Sequence, residues 1–578
     1  GECGAGIGAD ETGGFDPKTG KIVYHLIEGN YVNGAANAAI GCRCGDSGSG
    51  YVRIISNEVT GAGRKGMGSG IGLNGVIHAS EISHNFTYGN HDAGIGLRGG
   101  ARCELITDNE SYENGAAGIG LSQGARVGEI SRNDLHHNAL AGIGHEGSSA
   151  GRIVVRLEST NRIHHNGAAG IGIISSDVTE IRDNVIEYNA APGITVIGGS
   201  VAGLITGNTL DYNGATDGSD GGTAGENTGG TAGLAVLGAS SATIRNTTIS
   251  HSGRAGIGIF DPGTSVVLEN CTISNNGQCG LGPNLTVQSG ASVRMSGCSL
   301  DGTQGSPNIM ASGSETLLDM TGGRVERSAK PGLAASGGAI INIRDTVFDN
   351  NGTDGTRGLM IDGCRITLKG ITVCNSPHHA LAATNCTGSI EGCEFYRNAL
   401  AAGGQITISR SNLRIVRNVL HDPAGLHHQI ALLEGSDCRV YHNTIVGKAD
   451  GKGGPFNQGP GDGLHVDATS RADVRNNIFS CLPRGISRGV NRNDQEEIVA
   501  EGRVQASQNC FYQMAGFSDK GIVGDKVILD DPLLTSSYCL MLHSPCIDAA
   551  ELIPGVNEVF NGLAPDIGAK EKEEEEIE

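Results

Sequence analysis

A column of asparagines constrains this chain more than any other feature. Aligned on the pattern Ile/Leu/Val-x-x-Asn-x-apolar, it falls at Asn30, Asn57, Asn85, Asn109, Asn133, Asn161, Asn184 and Asn208, in steps of 23 to 28 residues. The pattern continues with the Asn replaced at Thr247, Cys271, Cys298, Gly323, Thr346, Ile371 and Cys393. It returns at Asn418, Asn443, Asn476 and Asn509, which makes 19 candidate repeats. A second Asn follows five residues later in many copies, as at Asn114, Asn138, Asn166, Asn189 and Asn213. Each copy also holds three short apolar-alternating stretches. In residues 117–144 they are Ile119/Leu121, Val127/Ile130 and Leu135. Each is too short for a helix, and the period is two. Three short strands per turn predict an all-β solenoid, a three-sheet parallel β-helix of about 19 turns. Turns stacked roughly 4.8 Å apart bring equivalent residues into ladders. Asn suits such a column because it tolerates left-handed corners and its amide bonds the Asn above and below.

Composition agrees with a core that grows in one dimension. The chain has 578 residues, far above a typical globular domain, yet no Trp and only 4% aromatic residues. The net charge of −21 argues against nucleic acid and anionic membrane surfaces as partners. Part of that charge is a local run, KEKEEEEIE (570–578), which reads as a solvated tail or a docking segment. No apolar run reaches the ~18 residues that a membrane span needs. The first residues, GECGAGIGAD, carry no Met and no leader pattern, so the chain reads as processed or truncated. They also open inside a corner, which predicts that an upstream region or another chain covers that end. There are 16 Cys but no CxxC, which argues against structural zinc and c-type haem.

With these residues in view, the chain resembles the right-handed parallel β-helix family of pectin-lyase-like proteins. The repeat VYHNTIVG…GDGLHVDATSRADVRNNIFS (440–480) is typical of it. The ending DDPLL…YCLMLHSPCIDAAELIPG…APDIGAKE (530–571) is similar to the end of many large secreted bacterial β-helix proteins. The resemblance implies a right-handed coil over 1–515, a C-terminal capping segment with acidic tail over 516–578, and an extracellular or cell-surface location. It does not imply one activity, because many functions share one fold.

Candidate chemistry falls in several places. Long steps insert loops at 214–233, 447–463 and 482–503, and projecting loops are where a rigid coil places function. The first holds Asp217, Asp220 and Glu226 among glycines, a set that suits Ca²⁺ or is a plain solvated loop. The stretch NVLHDPAGLHHQ (418–429) places His421, Asp422, His427 and His428 at one corner. Lys448, Asp450, Lys452, Asp462 and His465 follow in the next turn. A polyuronate lyase needs a base, an acid and a cation beside the uronate, and Asp, His and Lys meet those needs. The same stretch is similar to the Asp-Pro-His motif of alginate epimerases, with Ala424 where that His would stand. A further column reads Tyr88, Tyr112, His136, His164, Glu187 and Asp211. It is a metal-binding set or a solvated row, and ligands in one line do not converge on an ion. His145 takes an inward position, where a core His bonded to a corner carbonyl is expected.

Cys271–Cys298 and Cys364–Cys386 stand at equivalent positions in neighbouring turns, within disulfide range, and Cys539 and Cys546 flank a terminal segment they can close. Buried free thiols are the alternative. Finally, the word Gly-Ile-Gly recurs once per turn. Its second glycine points outward at Gly72, Gly96, Gly120, Gly144 and Gly172, flanked by Ala117, Ala141 and Ala169. A strip of bare backbone permits close approach of another surface, so this face is the expected interface; a sheet that simply tolerates Gly is the bland reading. Three functions follow. The first is a scaffold packing against another protein chain, either a second copy or an upstream region. The others are a polysaccharide-active lyase or epimerase, and a carbohydrate-binding adhesin.

Overall fold

The computed structural model describes residues 5–572 apart from 11–13, 45–49, 65, 67, 148–153, 158–160, 215–231, 280–281, 304, 400–403, 425–426, 448–460 and 515–523. The described residues form strands and turns, with no helix. The chain divides into two compact units, Gly1–Ser299 and Leu300–Glu578.

In the first unit each turn contributes one strand to each of three parallel sheets. One turn runs Ile119–Ser122 in the first sheet, Arg126–Ser131 in the second and Asp134–His136 in the third. In the first sheet the next turn repeats it without slip: Ile119 pairs with Ile143 and Gly120 with Gly144. Ile71, Ile95, Ile119, Ile143 and Ile171 therefore stack inward, all fully buried. Burial alone does not fix the register, because the corners are fixed by amides. The Asn109 backbone N–H and Nδ2 both donate to Asn133 Oδ1, at 3.1 and 2.9 Å. Asn133 repeats this toward Asn161. The second column does the same, with Asn114 Nδ2 donating to Asn138 Oδ1 at 2.9 Å. Both columns run as the sequence predicts.

The glycines of Gly-Ile-Gly answer to different neighbours. The first sits over the ladder corner. A Cβ on Gly142 would lie 2.3 Å from Ile163 Cγ2 and 2.9 Å from the Gly170 carbonyl oxygen. The second is crowded from the side. A Cβ on Gly96 would lie 2.5 Å from Ser69 Oγ, and one on Gly120 3.3 Å from Ala93 Cβ. The corner side chain of the preceding turn thus crowds Gly96 and Gly120, while a Cβ on Gly8 or Gly172 would meet nothing within 4 Å. His145 departs from expectation. It stands inward between Leu121 and Ile173 and is 1% exposed, but neither ring nitrogen has a partner among the described residues. Burial pushes its pKa down to about 4, so the imidazole is neutral.

The second unit has the same three-sheet plan. Among the described residues the first sheet has 19 strands, the number of repeats in the sequence. Its Asn ladder runs through Asn418, Asn443, Asn477 and Asn509. The expected Asn476 is off by one: it is the corner residue, at φ 58°, and its side chain donates to the Glu551 carbonyl and to His442 Nε2. The C-terminal segment does more than close an end. Asp525 and Ile528 bridge to Ser507 and Cys510, extending the last turn. The chain then lies back along earlier turns, where Gly568 N–H donates to Asn476 and Ala569 N–H to Thr444. Leu540, Cys546, Ala550 and Ile567 pack on Ile478 and Cys510.

The cysteines correct a further expectation. Cys271, Cys298, Cys364, Cys386, Cys539 and Cys546 are all free thiols. The reason lies in the ladders. Cys271 Sγ donates to the carbonyls of Ile244 and Glu269 at 3.6 and 3.5 Å. These stand 27 and 2 residues before it, as Ile106 and Ser131 stand before Asn133, whose amide they accept. Cys386 and Cys393 do likewise. The thiols thus stand in for the Asn amide. Cys546 contacts Cys510 of the coil rather than Cys539.

Candidate functional site

The glycine strip is the floor of a groove on the outer face of the first sheet in the first unit. Gly8, Gly41, Gly72, Gly96, Gly120, Gly144 and Gly172 are in register, one per turn. One wall is the small-residue column Ala38, Ser69, Ala93, Ala117, Ala141 and Ala169; the other carries Arg43, Asn74, Arg98, Ser122, Glu146 and Ile174. The groove's volume is about 1130 Å³. Seven registered turns make a floor roughly 29 Å long at ~4.8 Å per turn. Among the described residues no Phe, Tyr or Trp lines it, and Leu140 stands 54% exposed at its side. The five predicted interface glycines all lie on this floor.

The third sheet of the same unit carries a second feature. Tyr88, Tyr112, His136 and His164 stack face to face, with ring centroids 5.0, 5.1 and 5.0 Å apart. A parallel column, absent from the sequence reading, stands beside it: His137, His165, Tyr188, Tyr212 and His251. Neighbours in a strand normally face opposite sides. Here the second residue of each pair is a corner residue with positive φ, 54° at His137 and 55° at His165, and this turns it back beside the first. The His-His dipeptides 28 residues apart were the available signal. The Nδ1 atoms of His136 and His137 lie 2.9 Å apart, and so do those of His164 and His165. His136 Nε2 faces Glu110 at 3.4 Å, and His164 Nε2 faces Asp134 at 3.0 Å. Burial and the neighbouring imidazole charge hold the pKa of both His137 and His165 below the usual value, favouring the neutral form.

In the second unit the sequence-predicted catalytic residues separate into two groups. His428, Asp462 and His465 come together. The two rings stack at 4.5 Å, and the Asp462 N–H donates to His428 Nδ1 at 3.3 Å. Arg484, missed in the sequence, donates to both oxygens of the fully buried Asp462 at 2.8 and 2.9 Å. His465 Nδ1 lies 3.0 Å from Ser487 Oγ. Burial lowers both histidines, His428 to about 4. The cluster brings His/Asp ligand atoms within 4.8 Å of one another, but the Arg484 fork already satisfies the carboxylate. Neutral bases beside a buried ion pair suit proton transfer more than cation binding. His421 and Asp422 lie elsewhere. His421 bridges Glu394 and Asp422, both at 3.1 Å, and stacks on Tyr396 and on Tyr538 of the C-terminal segment. Burial lowers both His379 and His428, and the charge of nearby His427 adds to it. Lys448, Asp450 and Lys452, and the proposed Ca²⁺ ligands Asp217, Asp220 and Glu226, lie outside the described residues.

Comparison with known families gives two results. Residues 157–320, 230–357 and 357–522 match the family described as "Right handed beta helix region". Residues 18–228 match one described as "Periplasmic copper-binding protein (NosD)". None of the curated proteins matches the chain. No helix among the described residues is long and apolar enough to cross a membrane.

Proposed function

Because this chain belongs to the right-handed β-helix family, we propose that it is an extracellular or periplasmic scaffold whose first unit docks an extended polypeptide in the glycine-floored groove. The periplasmic name of the family matched over 18–228 supports the location. The observation that carries the docking reading is the groove itself. Seven glycines keep its floor at backbone level, and the alanine column keeps one wall low. A partner's main chain can therefore approach closely, which bulkier residues would prevent. Strands of a parallel sheet normally have both faces covered. A roughly 29 Å floor accepts about nine residues of extended chain. The absence of aromatic lining disfavours sugar rings, which stack on such surfaces. The mixed wall, with Arg43 and Arg98 against Glu146, suits a polypeptide carrying both charges.

A photo-crosslinking residue at Leu140 tests this. The expected result is an adduct to polypeptide that disappears with Gly120→Arg, because the arginine fills the floor. Adducts that persist in Gly120→Arg, or none in native surroundings, contradict the reading.

A second reading is favoured by the His428–His465 stack beside Arg484 and Asp462: proton transfer on an anionic polysaccharide, as in a lyase or epimerase. The docking reading expects no unsaturated product when the protein is incubated with polyuronates and followed by ultraviolet absorbance. A rise in absorbance that is lost in His428→Ala would establish the second unit as an active site.

A further inference from the structure

We propose that Cys510 and Cys546 form a disulfide under oxidising conditions, and that this bond ties the C-terminal segment to the last turn of the coil. It takes the place of the expected closure between Cys539 and Cys546. This inference does not rest on the docking reading.

The placement of the two residues carries it. In the strand Cys510–Tyr512, Phe511 points inward and stacks on Phe479 at 5.3 Å. Alternation then puts Cys510 on the outer face of the third sheet. The first residue of a third-sheet strand is Glu110, Asp134 or Arg162 in the first unit, and Thr444, Ile478 or Cys510 here. Thr444, Ile478 and Cys510 are buried, because the C-terminal segment covers them. Cys546 belongs to that segment, is fully buried as well, and its thiol hydrogen bonds with that of Cys510. Both backbones are pinned. The Cys510 N–H donates to the Asn477 carbonyl at 2.8 Å. The Cys546 N–H donates to Ser544 Oγ at 3.2 Å, and its carbonyl accepts the Ile567 N–H at 2.9 Å. Thiols already in contact on fixed backbones meet the first demand of a disulfide, that the two chains be near enough to bridge.

The ladder thiols are differently employed. Cys271, Cys386 and Cys393 donate to carbonyls that a ladder amide would serve, and a disulfide would remove that donor. Cys510 stands one residue past the ladder, where Asn509 keeps the amide role. Its sulfur gives up only a long contact of 3.6 Å to the carbonyl of Asp530, an exposed residue. The oxidant is itself a disulfide, either small, such as glutathione disulfide, or part of a thiol–disulfide exchange protein. One cysteine thiolate attacks it, forming a mixed disulfide and releasing one thiol. The other cysteine attacks the protein sulfur of that mixed disulfide and releases the second thiol. The two protein sulfurs lose two electrons, and the oxidant leaves as two thiols that carry those electrons and two protons. Exchange needs a thiolate within reach of the oxidant. The hydrogen bond from Cys546, together with burial, pushes the Cys510 thiol well above its usual value, and both residues are shut off from solvent. The packed thiols are therefore inert, and the bond forms during folding, before the segment settles on the third sheet.

The test is a peptide map of the full chain made in two ways, with export to the oxidising periplasm of a host cell and in a reducing cytosol. Each preparation is denatured in iodoacetamide without reductant. The host sets the compartment, so the outcome is independent of where the chain naturally resides and of what fills the groove. The expected result is a Cys510–Cys546 linked peptide from the exported chain and alkylated Cys510 and Cys546 from the cytosolic one. Cys271, Cys298, Cys364 and Cys386 should be alkylated in both. Hydrogen exchange at Ile567 and Gly568 should be at least about tenfold slower in the exported chain. Cys510→Ser should abolish that difference, and Cys539→Ser should leave the link intact. An exported chain that is folded by circular dichroism yet has both cysteines alkylated, or has Cys546 linked to Cys539, overturns the proposal. Where the exported chain does not fold, refolding the cytosolic chain from denaturant with glutathione disulfide gives the same readout, and the same two results overturn it.

Discussion

Asn133→Ala is expected to destabilise the first unit by about 3 to 5 kcal/mol, more than most single substitutions in its hydrophobic core. Asn133 Oδ1 accepts the Asn109 N–H and Nδ2, and its own Nδ2 donates to the carbonyls of Ile106 and Ser131 and to Asn161 Oδ1, all at 2.9 to 3.1 Å. The site is 2% exposed, so water does not replace these partners. Each orphaned buried group costs about 1 to 3 kcal/mol. Asn133→Thr should cost markedly less. The chain itself uses Thr at position 247, whose Oγ1 still reaches the Arg245 carbonyl at 2.9 Å. Denaturant unfolding with hydrogen exchange checks both variants. Exchange should accelerate first near residues 106–161, because neighbouring turns share the ladder. An Ala variant within about 1 kcal/mol of wild type would show that apolar stacking alone sets the register.

Acid should weaken the fold between pH 6.5 and about 4, with His145 a leading cause. Its folded pKa is depressed to about 4 from the usual imidazole value of about 6.5 because burial disfavours the imidazolium. In that window the unfolded chain holds a proton that the folded chain does not, so stability falls as pH falls and levels off below about 4. At about 1.36 kcal/mol per pKa unit, the loss at this one residue is on the order of 3 kcal/mol. His442 adds to it in the second unit. There Nε2 accepts from Asn476 and Asn557 at 2.9 and 2.7 Å while Nδ1 donates to the Asp566 carbonyl, so protonation breaks the seat of the C-terminal segment. Glu571, raised by burial to about 7, works in the opposite direction. His145→Leu isolates the first contribution, since Leu121 and Leu97 occupy the same column. The variant should match or exceed wild type at pH 7.5 and exceed it by about 3 kcal/mol more near pH 4.5. Parallel pH profiles of the two proteins would remove His145 from the account.

How much of this was legible in the sequence depends on which residues repeat. The Asn and Gly-Ile-Gly columns announced the coil, its strand order and the outward strip, because a solenoid turns periodicity into register. Where the chemistry changes but the hydrogen bond survives, reading failed. Cys271 and Cys386 were expected in disulfides by spacing, yet each thiol replaces an amide donor. The double Asn at 476–477 hid a one-residue shift, because only the corner dihedral separates the ladder residue from its neighbour. The same corner explains the unseen imidazole column: a positive φ at His137 and His165 defeats the strand alternation on which sequence reading relies. Arg484 was missed because its partner Asp462 lies 22 residues away, one turn back, and nothing local marks the pair.

The most direct test of the docking account is a density map of the chain with its crosslinked partner. The account predicts an extended main chain lying along Gly72, Gly96, Gly120, Gly144 and Gly172, within contact of Ala93, Ala117 and Ala141. Density for the partner on the second or third sheet, with that groove filled only by solvent, would contradict it.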